Sequence, residues 1–273
     1  MARIFAVANQ KGGVGKTTTC VNLAASLAAT RKRVLMVDLD PQGNATMGSG
    51  IDKYALELST YDVLVKQASV ENVRCFSEGG GFDVLPANSD LTAAEVELLD
   101  TPHKERRLQD ALDNARERYD FVLIDCPPSL NMLTLNGLVA ADSVLIPMQC
   151  EYFALEGLSA LLDTVARVAE SVNPGLHVEG MLRTMYDPRN SLTNDVSVQL
   201  QEHFGDRLYR TVIPRNVRLA EAPSFGMPAI QYDAKSRGAQ AYLALAGEVI
   251  RRQNGGVAND ANDTGDSLQV SEQ

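Results

Sequence analysis

The stretch Ile4-Phe5-Ala6-Val7-Ala8-Asn9-Gln10-Lys11-Gly12-Gly13-Val14-Gly15-Lys16-Thr17-Thr18 decides how the rest of the chain reads. Ile4–Ala8 is an unbroken apolar run of strand length. Beyond the glycines, Cys20, Val21, Leu23, Ala24 and Leu27 set out an apolar helix. A glycine-rich turn between a strand and a helix lets successive N–H groups curl around a phosphate at the positive end of the helix dipole. Gly12, Gly13 and Gly15 supply the backbone freedom, with Val14 between them, and Thr18 closes the run. In a loop of this kind Lys16 reaches the β- and γ-phosphates and the Thr17 hydroxyl ligates magnesium. The match to G-x-x-x-x-G-K-[ST] is incomplete, because Gln10 stands where the first glycine belongs. An additional lysine, Lys11, follows it.

Two acidic strand ends belong with this loop. Val34-Leu35-Met36-Val37-Asp38-Leu39-Asp40-Pro41-Gln42-Gly43-Asn44 closes a second strand with two carboxylates two residues apart. Alternation along a strand puts both on one side of the chain. Phe121-Val122-Leu123-Ile124-Asp125-Cys126-Pro127-Pro128 closes another strand with a single carboxylate. An apolar strand ending in Asp is a common way to hold a magnesium-bound water near a phosphate loop, so these acidic strand ends complete the site with Thr17. Either aspartate could instead cap the following turn.

The same pattern recurs along the chain. Strands are expected at Ile4–Ala8, Val34–Val37, Phe82–Leu85, Phe121–Ile124, Val144–Pro147, Val178–Leu182, Tyr209–Ile213 and Ala229–Tyr232. They are nearly continuous in apolar residues, as strands buried on both faces of a parallel sheet must be. Helical spacing links them, most plainly at Leu155, Leu158, Leu161, Leu162, Val165, Val168 and Val172. Repeated βα units imply an α/β, doubly wound, mainly parallel sheet flanked by helices, with ligands at the carboxyl ends of its strands. Residues 1–252 are expected to form one domain. Residues 253–273 are polar and acidic, which predicts a disordered tail.

Composition narrows the function classes. The 273 residues contain no apolar run long enough to span a bilayer. The first residues lack a signal-peptide core, and the four cysteines (Cys20, Cys75, Cys126, Cys150) show no zinc or disulfide spacing. The expectation is a soluble, cytoplasmic protein with no membrane partner. The net charge of −10 is unevenly spread: −9 over residues 1–182, +3 over 183–252 and −4 over 253–273. Nine of the ten cations in the middle stretch are arginines, a hint of an anionic partner there.

Lys-Gly-Gly-Val-Gly-Lys-Thr-Thr from Lys11, Asp-Leu-Asp-Pro-Gln-Gly-Asn from Asp38 and Ile-Asp-Cys-Pro-Pro-Ser from Ile124 together resemble the deviant-Walker ATPases of the ParA/MinD superfamily. The likeness is greatest to the chromosomal ParA (Soj) proteins. It extends through Val212-Ile213-Pro214-Arg215-Asn216-Val217-Arg218-Leu219-Ala220-Glu221-Ala222-Pro223-Ser224 and Tyr232-Asp233-Ala234-Lys235-Ser236-Arg237-Gly238-Ala239, and covers about residues 2 to 252. The resemblance implies ATP and magnesium as cofactors and an ATP-dependent homodimer. It assigns catalytic roles to Lys11, Lys16 and Asp40: Lys11 crosses to the partner subunit's ATP, and Asp40 orients the attacking water. Asp38 and Asp125 surround the metal, Pro214, Arg215 and Asn216 form the adenine segment, and Arg189 and Arg218 face DNA. It further implies non-specific double-stranded DNA and a ParB-like centromere-binding protein as partners, a nucleoid-associated location, and ATP hydrolysis that is slow until the partner engages.

Absences narrow the subfamily. No basic amphipathic helix closes the chain, as a membrane-oscillating relative would require. The cysteines do not fall where an iron–sulfur relative holds its cluster, and no tyrosine follows Tyr242. The loop begins at residue 11, so sequence-specific operator binding is not expected. Two alternatives remain at this level: an ATPase of the same fold that positions another cargo, and a metabolic P-loop ligase that activates a small carboxylate.

Overall fold

The computed structural model describes residues 1–151 and 154–259. Eight strands form one sheet: β1 (Arg3–Val7), β2 (Val34–Asp38), β3 (Cys75–Ser77), β4 (Phe82–Leu85), β5 (Phe121–Asp125), β6 (Ser143–Gln149), β7 (His177–Tyr186) and β8 (Leu208–Pro214). Their spatial order is β3-β4-β2-β5-β1-β6-β7-β8, and every pair is parallel except β3–β4. The helices are α1 (Lys16–Ala29), α2 (Asn44–Gly48), α3 (Thr60–Leu64), α4 (Val70–Val73), α5 (Leu91–Glu97), α6 (Arg107–Asp113), α7 (Met132–Ala140), α8 (Ala154–Ser171), α9 (Ser191–Phe204), α10 (Val217–Glu221), α11 (Ala229–Tyr232) and α12 (Arg237–Asn259).

The apolar strands read as they do because each is covered twice. Ile4, Ala6, Leu35, Val37, Val122 and Ile124 face one core, into which α6, α7 and α8 send Leu108, Leu133 and Leu161. Their alternates Phe5, Val7, Val34, Met36, Phe121 and Leu123 face a second core, closed by Leu23 and Leu27 of α1 and by Tyr242, Leu245 and Val249 of α12. A side chain on either face therefore leaves water, and a polar residue within these strands would have no partner. The expected doubly wound α/β class is the one observed.

Three details differ from expectation. Ala229–Tyr232 is the helix α11, not a strand. The Ala229 N–H donates to the side-chain Oδ1 of Asn22 at 2.7 Å, and Pro228 precedes the first turn, so this backbone is satisfied by a distant side chain and its own turn, with no ladder. The short antiparallel edge strand β3 is an addition; at three residues it is too brief to show periodicity. The last helix runs on to Asn259, past the expected boundary at 252. The rest of the expected tail, residues 260–273, lies outside the described residues, as does any account of the Leu155 side chain.

Register brings the functional strand ends level. Val7 of β1 pairs with Asp125 of β5, and Asp125 pairs on its other side with Asp38 of β2. The Gln10–Lys16 loop thus leaves β1 beside two carboxylates at the carboxyl edge of the sheet.

A candidate nucleotide site at the carboxyl edge

The loop is held open by its glycines and fixed by distant residues. Gly13 and Gly15 have φ of +74° and +90°, a region that L side chains rarely adopt. Gly15 occupies the N-cap of α1 with no side-chain cap, and no acidic residue falls in the first turn. The first N–H groups of this 14-residue helix therefore face the loop without an acidic residue of their own turn to neutralise them. Two contacts tie the loop to strands far away in sequence, and a third, local one fixes Lys11 to the residue that makes the second. The Thr184 hydroxyl of β7 donates to the Val14 carbonyl at 2.7 Å. Asn9 accepts from the Lys11 N–H at 2.9 Å and donates its amide to the Pro147 carbonyl of β6 at 2.8 Å.

The two loop lysines diverge. Lys16 is 8% exposed, and its Nζ donates to the Lys11 carbonyl at 3.1 Å. Burial lowers its pKa, against the opposing pull of Asp125, Cys126 and Asp40. Lys11 points outward, with 41% of its side chain exposed, and its Nζ lies 2.6 Å from Oε2 of Glu151. The pairing with Glu151 carried no signal in the sequence, since 140 residues separate the two.

The carboxylates divide in the same way. Asp38 is fully buried and already occupied: Oδ2 accepts from the Thr46 N–H at 2.9 Å and hydroxyl at 2.8 Å, and Oδ1 from the Asp40 N–H at 3.1 Å. It anchors the turn into α2, which the Thr46 hydroxyl extends by accepting from the Ala87 N–H at 2.8 Å. Gly43 within this turn has φ +60°, and a Cβ there would lie 2.6 Å from the Ala87 carbonyl. Asp125 is equally buried, but neither of its oxygens has a hydrogen-bond partner. Burial and the neighbouring Asp38 push its pKa up, with Thr17 and Lys16 offsetting part of the rise. A buried carboxylate beside the Thr17 hydroxyl supplies the oxygen donors that a hard divalent cation takes, so the residues present fit magnesium. Asp40 is half-buried and turns back on its own loop, accepting from the Gln42 N–H at 2.9 Å.

Pro214, Arg215 and Asn216 stand beside the loop as well. With Gly15, Thr18 and Tyr242 they line a mostly apolar pocket of about 170 Å³. Met185 in the same wall has φ +49°, an uncommon conformation for a non-glycine residue and one concentrated at functional sites. Asn216 caps α10, accepting from the Arg218 N–H at 3.0 Å. Thr184, Met185 and Tyr242 were not legible as pocket residues, because no local motif carries them.

The two arginines lie on other elements. Arg189 follows β7 with 88% of its side chain exposed and is clamped by Asp187 through Nε at 2.9 Å and Nη2 at 2.8 Å. That clamp pulls the Asp187 pKa down to about 2. Arg218 on α10 is 45% exposed and reaches Glu221 at 2.7 Å and Asp233 at 3.3 Å. Both are on the surface, and both are paired with carboxylates of their own chain.

Known proteins resemble this arrangement closely. A family model described as an AAA domain matches residues 2–178. The sporulation initiation inhibitor protein Soj of Bacillus subtilis is 54% identical over 91% of this chain and 98% of its own length. The chromosome partitioning protein ParA of Caulobacter vibrioides is 53% identical over 92% of this chain and 95% of its own. Among solved structures, a cobyrinic acid a,c-diamide synthase from Mycobacterium smegmatis with bound ADP and magnesium has a TM-score of 0.83 and 39% identity, covering 94% of this chain and 97% of that one.

Proposed function

The chain belongs to the ParA/Soj family of chromosome-partitioning P-loop ATPases, and on that premise we propose that it is an ATP-driven switch that dimerises, binds DNA without sequence preference and releases it on hydrolysis. The observation that carries this reading is the divergence of the two loop lysines. Lys16 turns inward to its own loop, while Lys11 stands outward, held by an exposed ion pair with Glu151 that a second subunit's phosphates can displace. Lys16 and the N–H groups of residues 12 to 18 hold the phosphates of bound ATP, and Lys11 adds its charge only when two subunits meet. ATP thereby favours the dimer by linkage.

Thr17, Asp125 and Asp38 would hold magnesium, which when bound supplies positive charge to the phosphate oxygens. Asp125 contributes a buried carboxylate whose charge Thr17 and Lys16 offset only in part, while Asp38 contributes less directly because Thr46 and Asp40 occupy its oxygens. Asp40 orients the attacking water. The apolar pocket bounded by Pro214, Arg215 and Asn216 receives the adenine ring. Loss of the γ-phosphate removes the contacts that hold the segments after Asp40 and Asp125, and the dimer opens.

Arg189 and Arg218 meet DNA phosphates by exchanging their intramolecular carboxylates for phosphate oxygens. Two such faces on one rigid dimer bind far more tightly than one, so nucleotide controls DNA retention through avidity. A ParB-like partner at centromere-like sites stimulates hydrolysis, and repeated release and rebinding carries the partner complex over the nucleoid.

Cosedimentation with DNA of unrelated sequence, in ATP and in ADP across a salt series, tests this reading. Retention in ATP alone that falls steeply with salt is the expected result; equal retention in both nucleotides, or none, overturns it. A metabolic reading draws on the synthase name of the Mycobacterium smegmatis structure, at 39% identity. An identity of 53% to a chromosome partitioning protein ParA favours the switch. Turnover that requires a small carboxylate and ignores DNA would reverse that preference.

A further inference from the structure

We propose that Glu151 is a positioning residue that latches Lys11 to its own subunit and so sets the threshold for dimerisation. The inference rests on the role given to Lys11 above, and deepens it.

Two contacts from one place in the fold act on Lys11. Its backbone is fixed by Asn9, which is itself bonded to Pro147 within β6. Its ammonium is fixed by Glu151, two residues beyond the end of β6. The chain turns tightly there, the Glu151 N–H donating to the Gln149 carbonyl at 3.0 Å, so the carboxylate is presented from the strand end. The Lys11 ammonium has no other partner among the described residues. The side chain can reach a second subunit only by giving up this pair, because an ammonium held at 2.6 Å by a carboxylate has its charge largely neutralised.

The pair is strong enough to matter and weak enough to break. Its side chains are 41% and 51% exposed, so water and salt screen it. Phosphate oxygens of ATP carry more negative charge than one carboxylate, so ATP-bound subunits win the competition. Without nucleotide the latch is unopposed, and Lys11 is withheld from any neighbouring subunit. Glu151 thereby makes dimerisation depend more sharply on bound ATP than Lys11 alone would. A two-fold dimer breaks two such pairs, so the effect on the dimer constant is counted twice.

The test compares the full chain with Glu151→Gln and Glu151→Asp variants by sedimentation equilibrium in magnesium and a non-hydrolysable ATP analogue. Acylation of the Lys11 amine, read by mass spectrometry, is measured in parallel without nucleotide. Glu151 is exposed, and the Gln variant keeps its shape. Glu151→Gln should tighten the dimer by about five-fold, which is about 1 kcal/mol over two exposed pairs. It should also raise Lys11 acylation several-fold, and Glu151→Asp should fall between the two in both assays. A Gln variant that dimerises like the parent or more weakly, while Lys11 acylation rises, overturns the latch and leaves the dimer reading intact. Unchanged acylation removes the ion pair itself. A parent chain that stays monomeric in the analogue overturns the dimer reading, and the latch with it, whatever the acylation shows.

Discussion

Asp125 and Glu248 are both buried carboxylates, yet the protein treats them oppositely. Asp125, at the nucleotide edge, has no hydrogen bond to either oxygen. Glu248, on α12 against β8, accepts from the Arg210 N–H at 2.9 Å, from the Thr211 N–H at 2.9 Å and hydroxyl at 2.7 Å, and from Arg252 at 3.1 Å. Burial pushes the pKa of each upward. For Asp125 it dominates, whereas for Glu248 the bonds from Thr211, Arg210 and Arg252 outweigh it and the net shift is downward. A satisfied buried charge is a staple that fixes the β8 edge. A bare one costs stability on its own, and at the mouth of a phosphate loop it marks where a cation would be received. The contrast extends to the strands: β1, β2 and β5 pair in unbroken register beneath the loop, whereas β7 and β8 shift register, and the arginine-rich stretch after residue 182 runs through and beyond them.

The comparison can be broken from the nucleotide side first, where the largest effect is expected. Lys16→Ala should lower ATP turnover by about 10²-fold or more, measured as phosphate release, because a charge in a desolvated site has no substitute. Near-normal turnover would remove the loop from the chemistry. On the arginine-rich side, Arg189→Glu combined with Arg218→Glu should spare ATP-dependent dimerisation and abolish DNA retention at moderate salt. Single neutralisations should make the salt dependence of binding shallower by about two ions per dimer each. Unchanged retention would move the DNA face elsewhere on the molecule.

The remaining tests address the two carboxylates directly, and their stability changes are the smallest effects. Glu248→Gln should cost about 1–3 kcal/mol by urea unfolding at neutral pH, since it removes the charge from several hydrogen bonds at once. Because the folded Glu248 is more acidic than an unfolded glutamate, its stabilisation is complete above the ordinary glutamate range and lost as pH falls through the folded value. The gap between parent and variant should therefore close on acidification. Asp125→Asn should lose magnesium-dependent turnover yet unfold at the same or a higher Tm, since it removes an unpaired buried charge. A marked drop in Tm would mean that Asp125 is a staple after all, and the contrast between the two would collapse.

Much of this is legible in the amino-acid sequence. The loop, the strand that feeds it and the helix that follows are consecutive residues whose conformations depend on local chemistry: glycines where φ is positive, apolar runs where both faces are covered. Asp38 and Asp125 were legible for the same reason, each closing an unmistakable strand. The misread strand at Ala229–Tyr232 was lost to a partner 207 residues away, the Asn22 side chain that satisfies its first N–H.

The sequence by itself determined the fold class, the identity of the phosphate loop and the acidic strand ends, and the excess of arginine after residue 182. Only the tertiary structure decided which of those charges are spoken for. It paired Lys11 with Glu151, occupied the oxygens of Asp38 and left those of Asp125 bare, and built the apolar pocket from Thr18, Met185, Asn216 and Tyr242. The physical reason is that residue type and spacing set what a side chain can do, while desolvation and pairing depend on neighbours that the chain brings together only on folding.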